Sequence, residues 1–230
     1  MSRKDPKSAL FAQFAAVAKA TAHPHRLALL EQLAQGERSV EALANRVRLS
    51  VANASQHLQH MRRAGLVAAR RDGKFIYYGL TGDAVLELLA AIRRIAERQS
   101  AEVEHVVRTY FDDRDAFEPV SRAALLERMQ SGLVTLLDVR PADEYSLGHL
   151  PGAVNMELRD VERRLGELDP AKEIVAYCRG PYCVLSYEAV AALRARGFNV
   201  RRLEDGYPEW RAAGFPIEAG DGISRLAIPR

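Results

Sequence analysis

Apolar residues in the first hundred positions recur at the intervals of short helices. The spacing predicts helices over residues 10–20 and 24–36, with Gly36 ending the second one. Ser39 and Ser50 are suitable N-caps and predict two further helices, the later one over residues 51–64. The first half of the chain is therefore expected to be mainly helical.

After Gly65 the pattern changes to that of two short strands. Residues 66–69 and 75–80 favour β-structure, and the Asp-Gly pair that ends at Gly73 is typical of a tight hairpin turn. A long periodic stretch from Asp83 towards Tyr110 then predicts one continuous helix. Residues 112–116 are rich in aspartate, and we interpret them as a linker.

From residue 118 onward, apolar strands alternate with helices. Residues 133–139 and 174–178 are nearly continuous apolar runs, as expected for parallel strands that are covered on both faces. Residues 186–196 are predicted to form a helix that ends at Gly197, and residues 199–203 a third strand. This alternation predicts an α/β domain with a parallel sheet and helices on both faces.

Composition and length are those of a folded protein with two domains. The chain has 230 residues, of which 48% are hydrophobic and 27% charged, which excludes disorder along its whole length. It contains no apolar run of the ~20 residues that a membrane span needs. No secretory signal is recognisable, so we expect a cytoplasmic protein whose two cysteines are free thiols.

Charge is distributed unevenly along the chain. Residues 1–100 contain 16 Lys and Arg against 8 Asp and Glu, whereas residues 117–230 contain 15 against 17. The basic first half predicts a polyanionic partner. Its order of helix, tight turn, helix and hairpin predicts a winged helix-turn-helix, whose second helix fits the major groove of DNA.

The arrangement also predicts which side chains contact DNA. Small and hydrogen-bonding residues of the second helix are expected to meet base edges, while nearby cations hold phosphates. The predicted residues are Ser50, Asn53, Ser55, Gln56, His57, Gln59, His60, Arg62, Arg63, Arg70, Arg71 and Lys74. A winged helix that serves only protein interaction is the alternative, and the basic charge argues against it.

Residues 49–67, LSVANASQHLQHMRRAGLV, resemble the recognition segment of the ArsR-type repressors. The resemblance covers about residues 10–100 and implies a homodimer, paired through its first and last helices, that binds double-stranded operator DNA. Many such repressors sense metals through Cys-X-Cys pairs or through clusters of His, Asp and Glu, but this half of the chain has no cysteine. His23 and His25 flank Pro24, where metal binding is one alternative and capping or packing the simpler interpretation, and no metal or cofactor is predicted.

Both cysteines lie in residues 177–183, YCRGPYC. Cys178 follows an apolar strand and precedes a helix, at the sheet edge where α/β proteins bind ligands. The loop amides and the positive end of the helix would stabilise a thiolate and an incoming oxyanion, and Arg179 adds positive charge. Cys178 is therefore predicted to be a nucleophile, although a small buried side chain is the simpler alternative.

Residues 138–155 and 203–217 resemble the two signatures of the rhodanese family, which the chain matches over about residues 118–218. The resemblance implies that Cys178 accepts sulfur as a persulfide within a loop formed by Arg179, Gly180, Pro181, Tyr182 and Cys183. The matching residues of the first signature are interpreted as structural: Asp138 as a loop organiser, Arg140 and Glu144 as an ion pair, and His149 as part of a packed turn.

The loop departs from the usual rhodanese pattern at Pro181, Tyr182 and Cys183, and it is about two residues longer. A longer loop could admit a larger oxyanion, as in rhodanese-like phosphatases and arsenate reductases. Cys183 either resolves a persulfide or sulfenate into a disulfide or only fills the loop.

The function predicted is a DNA-binding transcriptional regulator that senses or carries reactive sulfur, or a related thiol-reactive species, on Cys178. Its expected partners are operator DNA, a second copy of the chain, and a small sulfur donor or oxyanion. A sulfurtransferase with a DNA-localising head is one alternative, and an arsenate or phosphate-ester enzyme is another. The predicted boundaries are 1–100 for the DNA-binding and dimerisation domain, 101–117 for a helical extension and linker, 118–220 for the rhodanese domain and 221–230 for a tail.

Overall fold

The computed structural model describes residues 5–110 and 119–219. The chain divides into two compact units, Met1–Leu89 and Ala90–Arg230. The predicted linker at residues 112–116 and the predicted tail at 221–230 lie outside the described residues. Among the described helices, none has the length and apolar character that a membrane span requires.

The first unit combines helices with a small antiparallel sheet of strand order β1-β3-β2. Two of its strands form a hairpin in which Asp72 pairs with Phe75, so that Gly73 and Lys74 make the turn. Gly73 has a φ of +57°, which glycine adopts without steric cost. The elements are α1 (Pro6–Thr21), α2 (Pro24–Ala34), β1 (Arg38–Ser39), α3 (Val40–Arg46), α4 (Val51–Arg63), β2 (Val67–Asp72) and β3 (Phe75–Leu80).

The helix-turn-helix consists of α3 and α4, and each helix begins at a serine cap. The hydroxyl of Ser39 accepts the N–H of Ala42, and that of Ser50 accepts the N–H of Asn53, both at 3.2 Å. One face of α4 is fully buried in the core of the unit, through Ala54, Leu58 and Met61. The spacing of these three residues leaves the opposite face of α4 exposed to solvent.

The prediction of one continuous helix from Asp83 to Tyr110 was wrong at Ser100. The structure has α5 (Ala84–Gln99) and a separate α6 (Ala101–Tyr110). Ser100 donates its N–H to the carbonyl of Ala96, at the end of α5, and its hydroxyl accepts the N–H of Val103 at 3.3 Å. Serine thus caps a new helix although the apolar spacing continues through it.

The second unit is an α/β structure with a four-stranded parallel sheet of order β5-β4-β6-β7. Short 3₁₀ turns lie on both sides of its α9 helix. The elements are α7 (Arg122–Gln130), β4 (Val134–Asp138), α8 (Ala142–Tyr145), β5 (Val154–Asn155), α9 (Val161–Arg164), β6 (Glu173–Tyr177), α10 (Val184–Arg194), β7 (Val200–Arg202) and α11 (Tyr207–Ala212).

Alternate residues of the central strands pack on opposite faces of this sheet. On one face Leu136 joins a cluster with Trp210 of α11, and on the other Leu137 joins a cluster with Leu193 of α10. Both clusters are buried, which explains why the strands are continuously apolar. The predicted fold class, a winged helix-turn-helix followed by a parallel sheet with helices on both faces, is confirmed.

A fully buried ion pair joins Asp138 and Arg140 at the end of β4. Nη2 of Arg140 donates to Oδ2 of Asp138 at 2.6 Å and to the carbonyl of Gly148 at 2.7 Å. The N–H of Arg140 donates to Oδ1 of the same carboxylate at 2.9 Å. Burial lowers the pKa of Arg140, but Asp138 outweighs it and leaves the pKa raised, so the guanidinium stays charged.

Replacing Arg140 by methionine is expected to reduce the free energy of unfolding of the second unit by about 3–5 kcal/mol, because it leaves the Asp138 carboxylate buried without its counter-charge. The matched control is Arg159→Met, since Arg159 is 77% exposed and its surface pair contributes at most about 1 kcal/mol. Urea unfolding followed by the fluorescence of Trp210, the one tryptophan of the chain, measures both. Equal midpoints for the two variants would contradict this account of the pair.

Candidate functional site

The outward face of α4 carries most of the predicted base-reading residues. Asn53, Gln56, Gln59, His60, Arg62 and Arg63 are exposed, whereas Ser55 and His57 are half-buried. Ser50 is engaged as the cap of α4, and the Ser55 hydroxyl accepts a hydrogen bond from Nε2 of Gln59 at 3.3 Å. The structure therefore gives these two serines local partners in the free protein.

The three cations of the hairpin, Arg70, Arg71 and Lys74, differ in their surroundings. Arg70 forms ion pairs with Glu37 at 2.8 Å and with Asp72 at 3.1 Å, and these hydrogen bonds raise its pKa. Nε of Arg71 donates to the carbonyl of Gly73, while Nζ of Lys74 lies 5.2 Å from the centre of the Phe75 ring. Carboxylates thus compensate the charge of Arg70, so it is less suited to binding phosphate than the sequence suggests.

His57 has two histidine neighbours from the start of α2. Its ring centre lies 4.6 Å from that of His23 and 5.7 Å from that of His25. His23 is the N-cap of α2, because its Nδ1 accepts the N–H of His25 at 3.1 Å. Burial and the nearby His23 lower the pKa of His57. His23 and His25 are only two residues apart in the chain, so their closeness is evident from the sequence. Nothing in the sequence indicates that His57 lies beside them.

The cysteine loop lies at the carboxyl edge of the parallel sheet. Cys178 follows β6, whose last residue, Tyr177, pairs with Asp138 at the end of β4. Cys178 and Cys183 are joined in a disulfide with Cα atoms 6.1 Å apart. Cys178 is buried and Cys183 half-buried. The expectation of two free thiols is therefore wrong for this structure, in which the loop brings both sulfurs together.

Much of the loop backbone is hydrogen-bonded within the protein. The N–H of Cys183 donates to the carbonyl of Gly180 at 3.2 Å, and the carbonyl of Cys178 accepts the N–H of Tyr207 at 3.0 Å. Pro181 has no N–H to offer an anion. The helix α10 begins directly after Cys183, so the positive end of its dipole lies at the loop.

The guanidinium of Arg179 forms an ion pair with the buried carboxylate of Glu144, which reduces its ability to attract an anion. Its Nε donates to Oε2 of Glu144 at 2.9 Å and its Nη2 to Oε1 at 2.8 Å. Glu144 is predicted to pair with Arg140, and the structure shows that it also forms an ion pair with Arg179. Arg140 forms an ion pair with Asp138, and the charge of Glu144 also raises its pKa. The short α8 helix presents Glu144 towards the cysteine loop.

His149 lies in a packed turn, which is the structural role that the sequence predicts for it. Its Nδ1 is 3.0 Å from the carbonyl of Tyr145, and the two rings stack with centres 3.7 Å apart. The backbone of His149 forms a short bridge with Glu218. These contacts hold the segment whose Gly148 carbonyl receives Arg140.

Gly206 allows the backbone before α11 to lie against the cysteine loop. A Cβ atom at this position would approach the carbonyl carbon of Arg179 to 2.6 Å and would meet the amide nitrogen of Gly180 still more closely. The same segment is fixed by Glu209, whose side chain accepts the N–H of Gly206 at 3.1 Å. Glycine is therefore required here by close approach rather than by its dihedral angles.

Helix α5 contributes two side chains to the surroundings of the loop, both from the part of α5 that belongs to the second unit. The hydroxyl of Tyr182 donates to Oε1 of Glu97 at 2.6 Å. Nη1 of Arg93 donates to Oε1 of Glu209 at 2.7 Å. Sequence reasoning missed both contacts, because each joins residues far apart in the chain that carry no shared motif.

Comparison with known proteins supports both halves of the chain. Residues 21–70 match the helix-turn-helix domain family, and residues 121–213 match the rhodanese-like domain family. The HTH-type transcriptional regulator Rv0324 of Mycobacterium tuberculosis (strain ATCC 25618 / H37Rv) is 43% identical over 218 residues, which is 95% of this chain and 96% of that protein. The chain belongs to this family of HTH-type transcriptional regulators. Its predicted ArsR-type winged helix and fused rhodanese domain are thereby confirmed.

Two further likenesses each cover one half of the regulator. A protein named sulfurtransferase from Allochromatium vinosum is 32% identical over 90 residues, covering 39% of this chain and 82% of that protein. Among solved structures, the homodimeric winged helix-turn-helix DNA-binding domain of Mb0332 from Mycobacterium bovis, a possible ArsR-family regulator, is 40% identical. It covers 44% of this chain and 94% of that one, with a TM-score of 0.40.

The surroundings of the hairpin cations predict unequal roles in DNA binding. Replacing Arg71 and Lys74 together by alanine should weaken binding to every duplex and reduce the slope of log K against log salt by about 2, as expected for two lost phosphate contacts. Arg70→Ala should change the slope less, because Glu37 and Asp72 already compensate its charge. Fluorescence anisotropy at several salt concentrations measures the slopes.

The matched control for this series is Lys172→Ala, which removes an exposed cation from the second unit. Its salt slope should equal that of the unmodified regulator. If Arg70→Ala weakened binding as much as the double replacement, the ion pairs of Arg70 would not persist on DNA and this assignment would fail.

Proposed function

We propose that this regulator senses sulfane sulfur, such as a persulfide or polysulfide, through Cys178 and Cys183, and that the state of this pair sets its affinity for operator DNA. The observation that carries the proposal is the disulfide between the two cysteines at the carboxyl edge of the parallel sheet. The likeness of the second half to a sulfurtransferase supports sulfur as the element that is handled.

The reaction balances with a persulfide donor alone. The Cys178 thiolate attacks the outer sulfur of R–S–SH, the S–S bond of the donor breaks, and RSH leaves with one proton, so that Cys178 carries a persulfide. The Cys183 thiolate then attacks Sγ of Cys178, and the terminal sulfur leaves as hydrogen sulfide. Overall, two thiols and one persulfide give a disulfide, one thiol and one hydrogen sulfide. The two thiol sulfurs are oxidised and the sulfane sulfur is reduced.

The burial of the two sulfurs supports an order for the return reaction. Cys178 is 1% exposed in the disulfide, whereas Cys183 is half-buried. An external thiolate therefore reaches the sulfur of Cys183 more easily and releases Cys178 as the leaving thiolate, next to the start of α10. The loop thus returns to its reduced state with Cys178 ready for another donor.

We also propose that the regulator binds a near-palindromic operator as a homodimer paired through α1 and α5. Three large apolar side chains of α1 are more than half exposed, Leu10 at 57%, Phe11 at 56% and Phe14 at 62%, and Ile95 of α5 is 65% exposed. Exposed apolar residues grouped on one helix are typical of a protein interface. A two-fold dimer would place two copies of α4 on successive major grooves.

Helix α5 is the element that can transmit the state of the cysteines. Val85 and Leu86 at its start are buried in the first unit, while Glu97 near its end holds the hydroxyl of Tyr182. Tyr182 directly precedes Cys183, so opening the disulfide changes the backbone to which this tyrosine belongs. A coupling free energy of about 1–3 kcal/mol, the usual allosteric range, is enough to regulate DNA binding.

The sensing proposal is tested by titrating operator DNA with the full-length regulator, reduced and treated with polysulfide, and with Cys178→Ser before and after the same treatment. We expect reduced and polysulfide-treated protein to differ in affinity about 5–150-fold. Cys178→Ser should not respond to polysulfide. Mass spectrometry should show the loss of two hydrogens in the treated protein, and a retained extra sulfur on Cys178 when Cys183 is serine.

Tyr182→Phe separates the chemistry from the coupling, because it keeps the ring and removes only the hydroxyl that contacts Glu97. This variant should form the disulfide yet lose most of the difference in DNA affinity. Glu87→Gln, an exposed change elsewhere on α5, is the matched control and should keep the difference.

Equal affinity of all states of the unmodified protein would refute sensing. Turnover of thiosulfate and cyanide would then favour a sulfurtransferase, and activity on arsenate or an aryl phosphate an oxyanion enzyme.

The dimer is tested by Phe14→Asp, which places a charge on the exposed apolar face of α1. Burying an unpaired carboxylate at an interface is costly, so we expect sedimentation velocity to show a monomer and operator affinity to fall more than about tenfold. The control is Leu133→Asp, because Leu133 is similarly exposed, at 64%, but belongs to the second unit. A Phe14→Asp protein that stays dimeric would place the interface elsewhere.

A further inference from the structure

Three histidines from two separate segments converge on one side of the first unit. His23 and His25 flank the start of α2, and His57 lies on α4. One ring nitrogen from each of the three lies within 4.8 Å of the others. Zinc–nitrogen bonds of about 2.0–2.1 Å place tetrahedral ligands about 3.3–3.4 Å apart, so small side-chain rotations suffice to surround one ion.

We propose that His23, His25 and His57 bind one divalent transition-metal ion, with zinc as the expected occupant. Imidazole nitrogens are preferred ligands of zinc, copper and nickel, and a set of three leaves one coordination position for water. This site is independent of the cysteines, which lie in the other unit. It uses a residue of the recognition helix, so the ion would join α4 to the beginning of α2.

The accessibility of the three rings is consistent with entry of an ion from solvent. His25 is exposed, and His23 and His57 are half-buried. The nearby Arg26 opposes a cation electrostatically. Its Nη2 is, however, held by the carbonyl of Lys19 at 2.9 Å, at the end of α1. The three imidazoles therefore provide the donors, while Arg26 keeps the Lys19 carbonyl as its partner.

Metal binding has a structural consequence at the start of α2. In the free protein Nδ1 of His23 accepts the N–H of His25, which requires the ring proton to be on Nε2. Ligation through Nδ1 uses the same lone pair, and ligation through Nε2 moves the proton to Nδ1. The cap hydrogen bond of α2 is therefore exchanged for the metal bond in either case, so the amide of His25 reports directly on occupancy.

The experiment titrates the full-length protein with zinc in competition with a chromophoric chelator, and with cobalt followed by its visible absorption. Both cysteines are replaced by serine in a parallel series, which excludes binding by thiolates. We expect one equivalent to bind in both backgrounds. His25→Ala and His57→Ala should weaken it more than about tenfold, since even outer-shell partners of a metal contribute that much. His105→Ala, a histidine of α6 outside the cluster, should bind like the unmodified protein.

The amide signal of His25 in a ¹H–¹⁵N correlation spectrum provides the second measurement, and it also shows that each variant is folded. It should shift on adding one equivalent of zinc, together with the signals of neighbouring residues in α4. Because the side chain of His25 is exposed, His25→Ala keeps the fold and tests the site without a loss of packing. Equal zinc affinity in the unmodified protein and in both cluster variants would overturn the proposal, as would loss of binding in His105→Ala.

Discussion

The parallel pairing of β4 with β6 is the constraint on which the cysteine loop depends. It places Asp138 beside Tyr177, so that the buried carboxylate and the residue before Cys178 end at the same sheet edge. Arg140 neutralises that carboxylate and lies 4.3 Å from the ring of Tyr207, whose N–H binds the carbonyl of Cys178. An unpaired buried charge would be costly. The ion pair of Asp138 and Arg140 instead holds the ends of β4 and β6 and the start of α11 around the cysteine loop.

The loop itself differs from a simple anion cradle. Arg179 is turned towards the buried Glu144, Pro181 lacks an N–H, and the amide of Cys183 is used within the loop. These features reduce the number of donors that could hold an oxyanion. What the loop provides instead is a second sulfur next to the first, and this favours thiol–disulfide chemistry over the binding of a large anion.

Helix α5 has different contacts at its two ends. Val85 at the start of α5 belongs to the core of the first unit, whereas Arg93 and Glu97 contact residues around the cysteine loop in the second. The sensing proposal depends on α5, whereas the proposed histidine site includes a residue of α4. The two proposals are therefore tested independently.

Local sequence predicted many of the helices and strands, because these elements depend mainly on interactions between neighbouring residues. Serine caps at Ser39 and Ser50, the apolar spacing within α4 and the continuous apolar strands each need only a few neighbouring residues to be recognised. The resemblance of residues 138–155 and 203–217 to known signatures supplied the identity of the second half. The position of Cys178 at the carboxyl end of an apolar parallel strand followed from the same pattern, whereas the strand order β5-β4-β6-β7 came only from the tertiary structure.

Only the tertiary structure decided the partners of the charged and reactive side chains. It pairs Glu144 with Arg179 and brings His57 to His23, and neither choice follows from spacing along the chain. Ser100 is a further example. The apolar spacing continues through it and predicts one helix, but its hydroxyl caps a second helix by accepting the N–H of Val103. Side-chain partners depend on which backbone segments the packed core brings within a few ångströms of one another. Residues far apart in sequence carry no local signal of that outcome.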